Sequence, residues 1–390
     1  MQKSGQMPMK TIPYGSQWVD DNDINAVCAV LKGDWLTQGP LIEQFEDKIA
    51  KYAGTRYAVA FNSGTSALHG AMFAAGVSSG DEVITTPISF VATPNSAVYL
   101  GGIPVFVDID PATYCINTQL IEHAITDRTK VIAPVDMAGY PMDMREIRDI
   151  ADRHDLVIVE DAAHALGGRR YGMSVGKEAD MTMFSFHPVK HITTGEGGII
   201  VTDSDEYTER LRLLRSHGTT KDPKKLTRNE GSWYYEMQEL GYNYRITDIQ
   251  CALGISQFSK LEGFITRRNE IADAYDQVFQ DLPGIIIPPR PRWPDSRHAF
   301  HIYPIQCTGC DRKGMMSKLK EQGILTQVHY IPIHQQPYYQ NHFGFREGQF
   351  PHAENYYHHE LSLPIFPRMD DEDVNRVISA ICKILGVDGS

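Results

Sequence analysis

YAVAFNSGTSALHGAMFAAG (residues 57–76) decides the fold. Its first five residues form a short apolar run, which reads as a strand. Residues 62–66, Asn-Ser-Gly-Thr-Ser, are small and polar. Beyond them Leu68, Ala71, Met72 and Ala75 recur at i, i+3, i+4 and i+7, one face of a helix, and Gly76 is its expected stop. Strand, small-residue turn and helix make the repeating unit of a parallel sheet. The alternation continues, with strands expected at 82–86, 104–108, 131–135, 156–160, 181–186 and 198–202. The fold class is therefore α/β, with a mostly parallel sheet covered by helices on both faces. The last two strands have no helix between them, which predicts a local exception in the sheet.

Beyond residue 203 the pattern changes. Residues 247–282 read as one long helical stretch that could cross between domains. The Pro-rich segment 287–294 breaks it. A smaller αβ unit follows, with a strand at 298–307, a helix at 312–322 and a strand at 324–330. A last helix carries Val374, Val377, Ile378, Ile381 and Leu385 on one face. The expected division is an N-terminal arm (1–20), a large domain (21–260) and a small C-terminal domain (261–390).

The net charge of −12 argues against a nucleic-acid binder, which would present a basic face. No apolar run is long enough for a membrane span. The first nine residues lack a signal-peptide core, and Met7 and Met9 are alternative starts. Six scattered cysteines without such a core suggest reduced thiols and a cytoplasmic protein. Cys307 and Cys310 have metal spacing but no second pair, so they read as a turn with two incidental thiols and no metal is expected. The histidine-rich run 352–359 reads as exposed helix.

Four places carry chemistry. Residues 62–66 sit at a strand-to-helix junction, where free N–H groups and the helix dipole suit a phosphate, with Thr65 and Ser66 adding hydroxyls. Ser63 or Thr65 as a simple helix cap is the alternative. Asp161 follows an apolar strand, and ligands of open α/β sheets gather at such ends. It could cap the next helix, bind a sugar or a metal, or face the ring nitrogen of pyridoxal phosphate. Phe90 could stack on a flat ring or pack in the core. Lys190 lies between the last two strands, beside Gly195, Gly197 and Gly198, and its neighbours suggest close approach of a ligand or partner chain. By itself it could bind phosphate, act as a nucleophile once it loses its proton, or be a surface charge. A phosphate cradle, a stacking aromatic, a carboxylate and a lysine, in that order, are the parts of a pyridoxal phosphate site.

With these pieces in place the sequence resembles the DegT/DnrJ/EryC1/StrS sugar aminotransferases, a branch of the fold-type I pyridoxal phosphate enzymes. The segments are 62–67 (NSGTSA), 160–164 (EDAAH), 185–190 (SFHPVK), 194–198 (TGEGG) and 241–245 (GYNYR). The resemblance runs from about Ile12 to the final helix. It implies pyridoxal 5′-phosphate held covalently by Lys190, with Asp161 on the ring nitrogen and His164 at the ring or its hydroxyl. It implies phosphate contacts from Thr65, Ser66 and Ser185, and stacking by Phe90. Asn243, with Arg245, would reach the partner subunit's cofactor, which makes a homodimer with shared active sites. Tyr14, Trp35, Leu36, Thr37, His187, His329 and Tyr330 would contact the substrate. Segments 12–18, 34–40, 233–238 and 328–334 resemble the branch that makes pseudaminic acid precursors. That branch implies L-glutamate as amino donor and a UDP-linked 4-keto-6-deoxy-N-acetyl hexosamine as acceptor.

Overall fold

The computed structural model describes residues 10–387; the alternative starts Met7 and Met9 lie outside the described residues. Seven strands form the main sheet: β1 (Tyr57–Phe61), β2 (Glu82–Thr85), β3 (Ile103–Phe106), β4 (Thr129–Ala133), β5 (Val157–Asp161), β6 (Met181–Ser185) and β7 (Gly198–Thr202). Their spatial order is β1-β7-β6-β5-β4-β2-β3. All run parallel except β7, which is antiparallel to both β6 and β1. The exception expected around Lys190 is thus a hairpin, β6 to β7, inserted into a parallel sheet. Strands buried on both faces read as continuous apolar runs, and β6 and β7 are buried at every position.

Helices α1 (Asp21–Leu31), α2 (Pro40–Ala53), α3 (Gly64–Ala74), α4 (Ala92–Val98), α5 (Arg145–His154) and α6 (Asp205–Arg215) surround or flank this sheet. Helix α3 packs Ala67, Leu68, Ala71 and Met72 among Val59, Val83, Val131, Met183 and Ile200, the apolar face expected from its spacing. It ends at Gly76, whose φ of +82° is left-handed and favours glycine.

The stretch 247–282 is two helices, not one. α7 (Asp248–Phe258) and α8 (Leu261–Phe279) are separated at Ser259 and Lys260. Asp248 is fully buried because its carboxylate accepts from the N–H groups of Gly39 (2.7 Å) and Leu41 (3.0 Å), which caps α2. A second sheet joins β8 (Ile285–Ile286), β9 (Tyr303–Cys307) and β10 (Glu360–Leu363) in that order. The expected strand at 298–307 starts only at Tyr303.

The expected strand at 324–330 is absent. Ile324 makes a single bridge to Ile12 and Gln327 a single bridge to Ser362. The chain then leaves the sheet, and its side chains from Gln327 to Ile331 line a cavity. The true third strand, β10, reads Glu-Leu-Ser-Leu and is buried throughout, so its polar residues hide it from a hydrophobicity reading. Cys307 ends β9 rather than sitting in a turn, and packs against Met315. Helix α9 (Arg312–Glu321) follows it. Helix α10 (Pro351–His359) is amphipathic, not simply exposed: Ala353, Glu354 and Tyr356 are buried. The final helix α11 (Asp371–Leu385) buries Val374, Val377 and Ile381, with Ile378 and Leu385 packed beside them. No helix among the described residues is long and apolar enough to cross a membrane.

Candidate active site

The ends of β5 and β6, the start of α3 and the segment 327–331 enclose a cavity of about 680 Å³. Ligands of open α/β sheets bind outside the carboxyl ends of the parallel strands, and this cavity lies there. Thr65, Phe90, Asp161, His164, Ser185, His187, Lys190, Tyr14, His329 and Tyr330 all line it. Ten of the residues singled out from sequence are therefore brought together from segments far apart in the chain.

At one end is the N-terminus of α3. Ser63 is its cap and forms a capping box with Ser66, each side chain accepting from the other's backbone N–H at 3.1 Å. Ser66 also donates to Asn62 Oδ1 at 2.7 Å and does not line the cavity. The hydroxyls at this end are those of Thr65 and Ser185. Gly64 brings the helix start against Ser185, since a Cβ there would lie 3.2 Å from Ser185 Oγ. Gly198 has the same purpose from the other side. A Cβ on it would meet Gly64 Cα and Ser63 O at 2.6 Å. This corrects one expectation: Gly198 admits the chain's own turn, not a ligand or partner. Gly195, with φ +81° and open space beyond it, is a turn residue.

In the middle is Asp161, the last residue of β5. Successive strand residues point to opposite faces. Asp161 lines the cavity, while Glu160 turns away to Arg170 Nη2 at 2.6 Å and Thr182 at 2.7 Å. Asp161 accepts from Thr93 Oγ1 at 2.6 Å and from the Ala163 N–H at 3.0 Å. Burial pushes its carboxyl up; the Thr93 hydroxyl, the Ala163 N–H and the Lys190 ammonium oppose that.

Lys190 lies across the cavity, half-buried, with Nζ 3.5 Å from His301 Nε2. Burial lowers its ammonium to about 8, with Asp161 acting the other way and the Arg268 guanidinium helping. Arg268 is itself buried and donates only to the carbonyls of Phe300, His301 and Ile365. Among the described residues its guanidinium meets no carboxylate, and its positive charge adds to burial in lowering Lys190. His164 accepts from or donates to Tyr330 Oη through Nε2 at 3.1 Å, and its Nδ1 has no partner among the described residues. Burial, and then Lys190, hold His164 well below its ordinary range, so the ring is neutral.

Phe90 is 58% exposed and lies 6.1 Å from the Tyr330 ring, which excludes core packing. His301 and Thr93 were not legible in the sequence. His301 is 111 residues from Lys190 and shares no spacing with it. Thr93 sits on the short helix α4 and looks like any buried threonine until Asp161 is placed against it.

Trp35, Leu36, Thr37, Asn243 and Arg245 do not line the cavity. Thr37 pairs with Thr247, and Leu36 O accepts from the Asp248 N–H, so the two segments form one strip. Trp35 is 59% exposed and Asn243 is exposed as well. Trp233, Leu240 and Tyr242 add exposed apolar surface in the segment leading to it.

The cavity matches a flat phosphorylated aldehyde: a helix N-terminus and two hydroxyls at one end, a buried carboxylate, an exposed aromatic face, and an amine depressed enough to react. The unpartnered Nδ1 of His164 is a further polar atom such a ligand could satisfy.

Comparison with known proteins agrees. Residues 17–382 match the DegT/DnrJ/EryC1/StrS aminotransferase family. The chain is 46% identical over 371 residues to the uncharacterised protein MJ1066 of Methanocaldococcus jannaschii, covering 94% of this chain and 96% of that one. It is 41% identical to the spore coat polysaccharide biosynthesis protein SpsC of Bacillus subtilis, over 96% and 97% of the two chains. Among solved structures, Helicobacter pylori PseC, an aminotransferase of pseudaminic acid biosynthesis, superposes with a TM-score of 0.88 at 34% identity, over 97% and 100%. Other superposing structures hold pyridoxal or pyridoxamine phosphate forms. The chain belongs to the DegT/DnrJ/EryC1/StrS family and is a fold-type I, pyridoxal phosphate-dependent sugar aminotransferase.

Proposed function

We propose that the enzyme moves the amino group of L-glutamate to C4 of a UDP-linked 4-keto-6-deoxy-N-acetyl hexosamine, UDP-2-acetamido-2,6-dideoxy-β-L-arabino-hexos-4-ulose, in pseudaminic acid biosynthesis. The observation that carries the chemistry is Lys190, a depressed amine sharing one cavity with the buried Asp161 and the start of α3. The likeness to PseC supports the sugar. Amination of another nucleotide-linked keto sugar is the second reading, supported by the identity to SpsC. Incubation with glutamate and a panel of 4-keto UDP-sugars, with NMR of the product, decides between them. Product only from 3-keto or GDP-linked sugars overturns the first.

Bound pyridoxal phosphate supplies an aldehyde that carries the amino group and a ring that accepts the electron pair of the donor carbon. Thr65, Ser185 and the first N–H groups of α3 would hold its phosphate. Phe90 would cover the ring, and Asp161 would keep the ring nitrogen protonated. Lys190 Nζ takes the proton from the donor's α-carbon. Trp35, Leu36, Thr37, Asn243 and Arg245 lie outside this cavity, with Trp35, Leu36 and Asn243 exposed, which supports their action in a partner's site and a homodimer. We place the protein in the cytoplasm, given its six free cysteines. A non-catalytic sugar-binding protein of this fold is the rival. Borohydride trapping of the cofactor on Lys190 separates the two.

Two predictions follow from the geometry. In Gly198→Ala the new Cβ meets the Ser63–Gly64 backbone at 2.6 Å and must displace the phosphate turn. Cofactor affinity is expected to weaken about tenfold, about 1.4 kcal/mol, read by titration of the visible band. The second concerns pH. Only the unprotonated Lys190 amine attacks an aldehyde, and burial lowers its midpoint to about 8. Capture of pyridoxal phosphate by the apoprotein should therefore quicken as pH rises towards 8 and level off above it. An ordinary lysine would still be gaining rate at pH 10, which stopped-flow absorbance distinguishes.

A further inference from the structure

Behind the cavity wall is a chain of side chains that the reaction as described does not use. Glu360 and Ser362 lie two apart on β10, so they share a face, and both are fully buried. Ser362 Oγ lies 2.5 Å from Glu360 Oε1 and 2.8 Å from His329 Nδ1. The other Glu360 oxygen accepts from the His329 backbone N–H at 2.8 Å, and the His329 carbonyl accepts from Tyr356 Oη at 3.1 Å. Backbone bonds between Gln327 and Ser362 lock the register of the two segments. The His329 ring lines the cavity 5.5 Å from Tyr14. Its Nε2 makes no bond to the protein among the described residues.

We propose that Glu360, acting through Ser362, sets which nitrogen of His329 carries the proton, so that Nε2 can either donate a hydrogen bond to a bound substrate or accept one. This rests on the aminotransferase reading of the cavity. The proton count is fixed by the donors and acceptors available. With Glu360 ionised, Ser362 donates to the carboxylate, its oxygen accepts from His329 Nδ1–H, and Nε2 is a bare acceptor. A proton delivered to Nε2 from the cavity releases the Nδ1 proton to Ser362 Oγ, and the Ser362 proton passes to Glu360. The result is neutral Glu360 donating to Ser362, Ser362 donating to Nδ1, and Nε2–H facing the cavity. One proton has entered and no imidazolium remains. An enzyme that binds two chemically different substrates in turn, an amino acid and a keto sugar, has use for such an atom.

The surroundings favour a proton resting on Glu360 over one resting on His329. Burial raises the Glu360 carboxyl to about 8, opposed by the Ser362 hydroxyl, the His329 N–H and Arg312. Burial, with Lys190, lowers His329 to about 3. The other titratable groups facing Glu360 are Tyr114, Tyr330, Tyr356 and Cys307, each held neutral by burial. Arg312, on α9, is the cation facing it, and it donates to the Glu360 and Tyr357 carbonyls rather than to the carboxylate.

The test is ¹⁵N NMR of histidine-labelled holoenzyme, with His329 assigned by its loss in His329→Gln. The expected result is Nε2–H at pH 7 changing to Nδ1–H as pH rises through about 8, and no change in Glu360→Gln, whose amide donates to Ser362 at every pH. The inflection that Glu360 adds to the pH profile of kcat/KM near 8, beside that of Lys190, should be lost in Glu360→Gln and Ser362→Ala and kept in Ser362→Thr, which retains the hydroxyl. If Glu360→Gln does not fold, the Ser362 pair decides. A His329 tautomer that ignores pH, or variants whose rate falls equally at all pH values, overturns the relay. Absence of the visible cofactor band in the wild-type protein would instead overturn the reading of the cavity.

Discussion

Lys190→Ala is expected to abolish turnover while leaving a folded protein that still takes up pyridoxamine phosphate. In the proposed reaction the side chain carries two functions on one nitrogen, covalent attachment of the cofactor and movement of the substrate proton. Loss of a general acid–base group alone costs up to about 10⁴-fold, and loss of the covalent anchor adds to it. The phosphate end of the cavity, built from α3, Thr65 and Ser185, is untouched. Stability should not fall, because removing a half-buried ammonium relieves a desolvation cost. Single-turnover amination of the keto sugar by the pyridoxamine phosphate form is the decisive measurement. Full activity would sink the assignment of Lys190.

Asp161→Asn comes second, with a fall of about 10²–10³-fold, the range for removing one fixed electrostatic partner from an active site. The fold should tolerate it. Thr93 Oγ1, 2.6 Å away, can turn its hydroxyl to accept, because Ser89 Oγ is 3.0 Å away and available as its partner. What would be lost is the charge that, in the proposed reaction, keeps the ring nitrogen protonated. There is an independent readout. Asp161 holds the Lys190 ammonium up against burial. Its removal should therefore move the midpoint for cofactor capture below about 8. A midpoint that stays in place, with a normal rate, would show that Asp161 does not face the reacting group.

Much of this was legible in the sequence, for a local reason. A strand buried on both faces must be a run of apolar residues, and a helix covering it must repeat at 3.6. Those constraints are satisfied within ten residues, so β1, α3 and β7 are plain at 57–76 and 198–202. Lys190 was visible because it interrupts two such strands. Where the pattern is weak the reading fails. β10 carries Glu360 and Ser362 inward, so it does not look like a strand. Residues 324–330 look like one, but after single bridges at Ile324 and Gln327 the chain turns to line the cavity.

By itself, then, the sequence determined the α/β architecture, a local exception in the sheet around Lys190, and the residue types a pyridoxal phosphate site requires. Only the tertiary structure decided which of them meet. It put Asp161 in the cavity and Glu160 on Arg170, turned Ser66 back to cap its helix, and brought His301 and Thr93 to Lys190 and Asp161. The physical reason is that hydrophobic periodicity acts over neighbouring residues, whereas side-chain hydrogen bonds and desolvation depend on distances between residues as far as 166 positions apart.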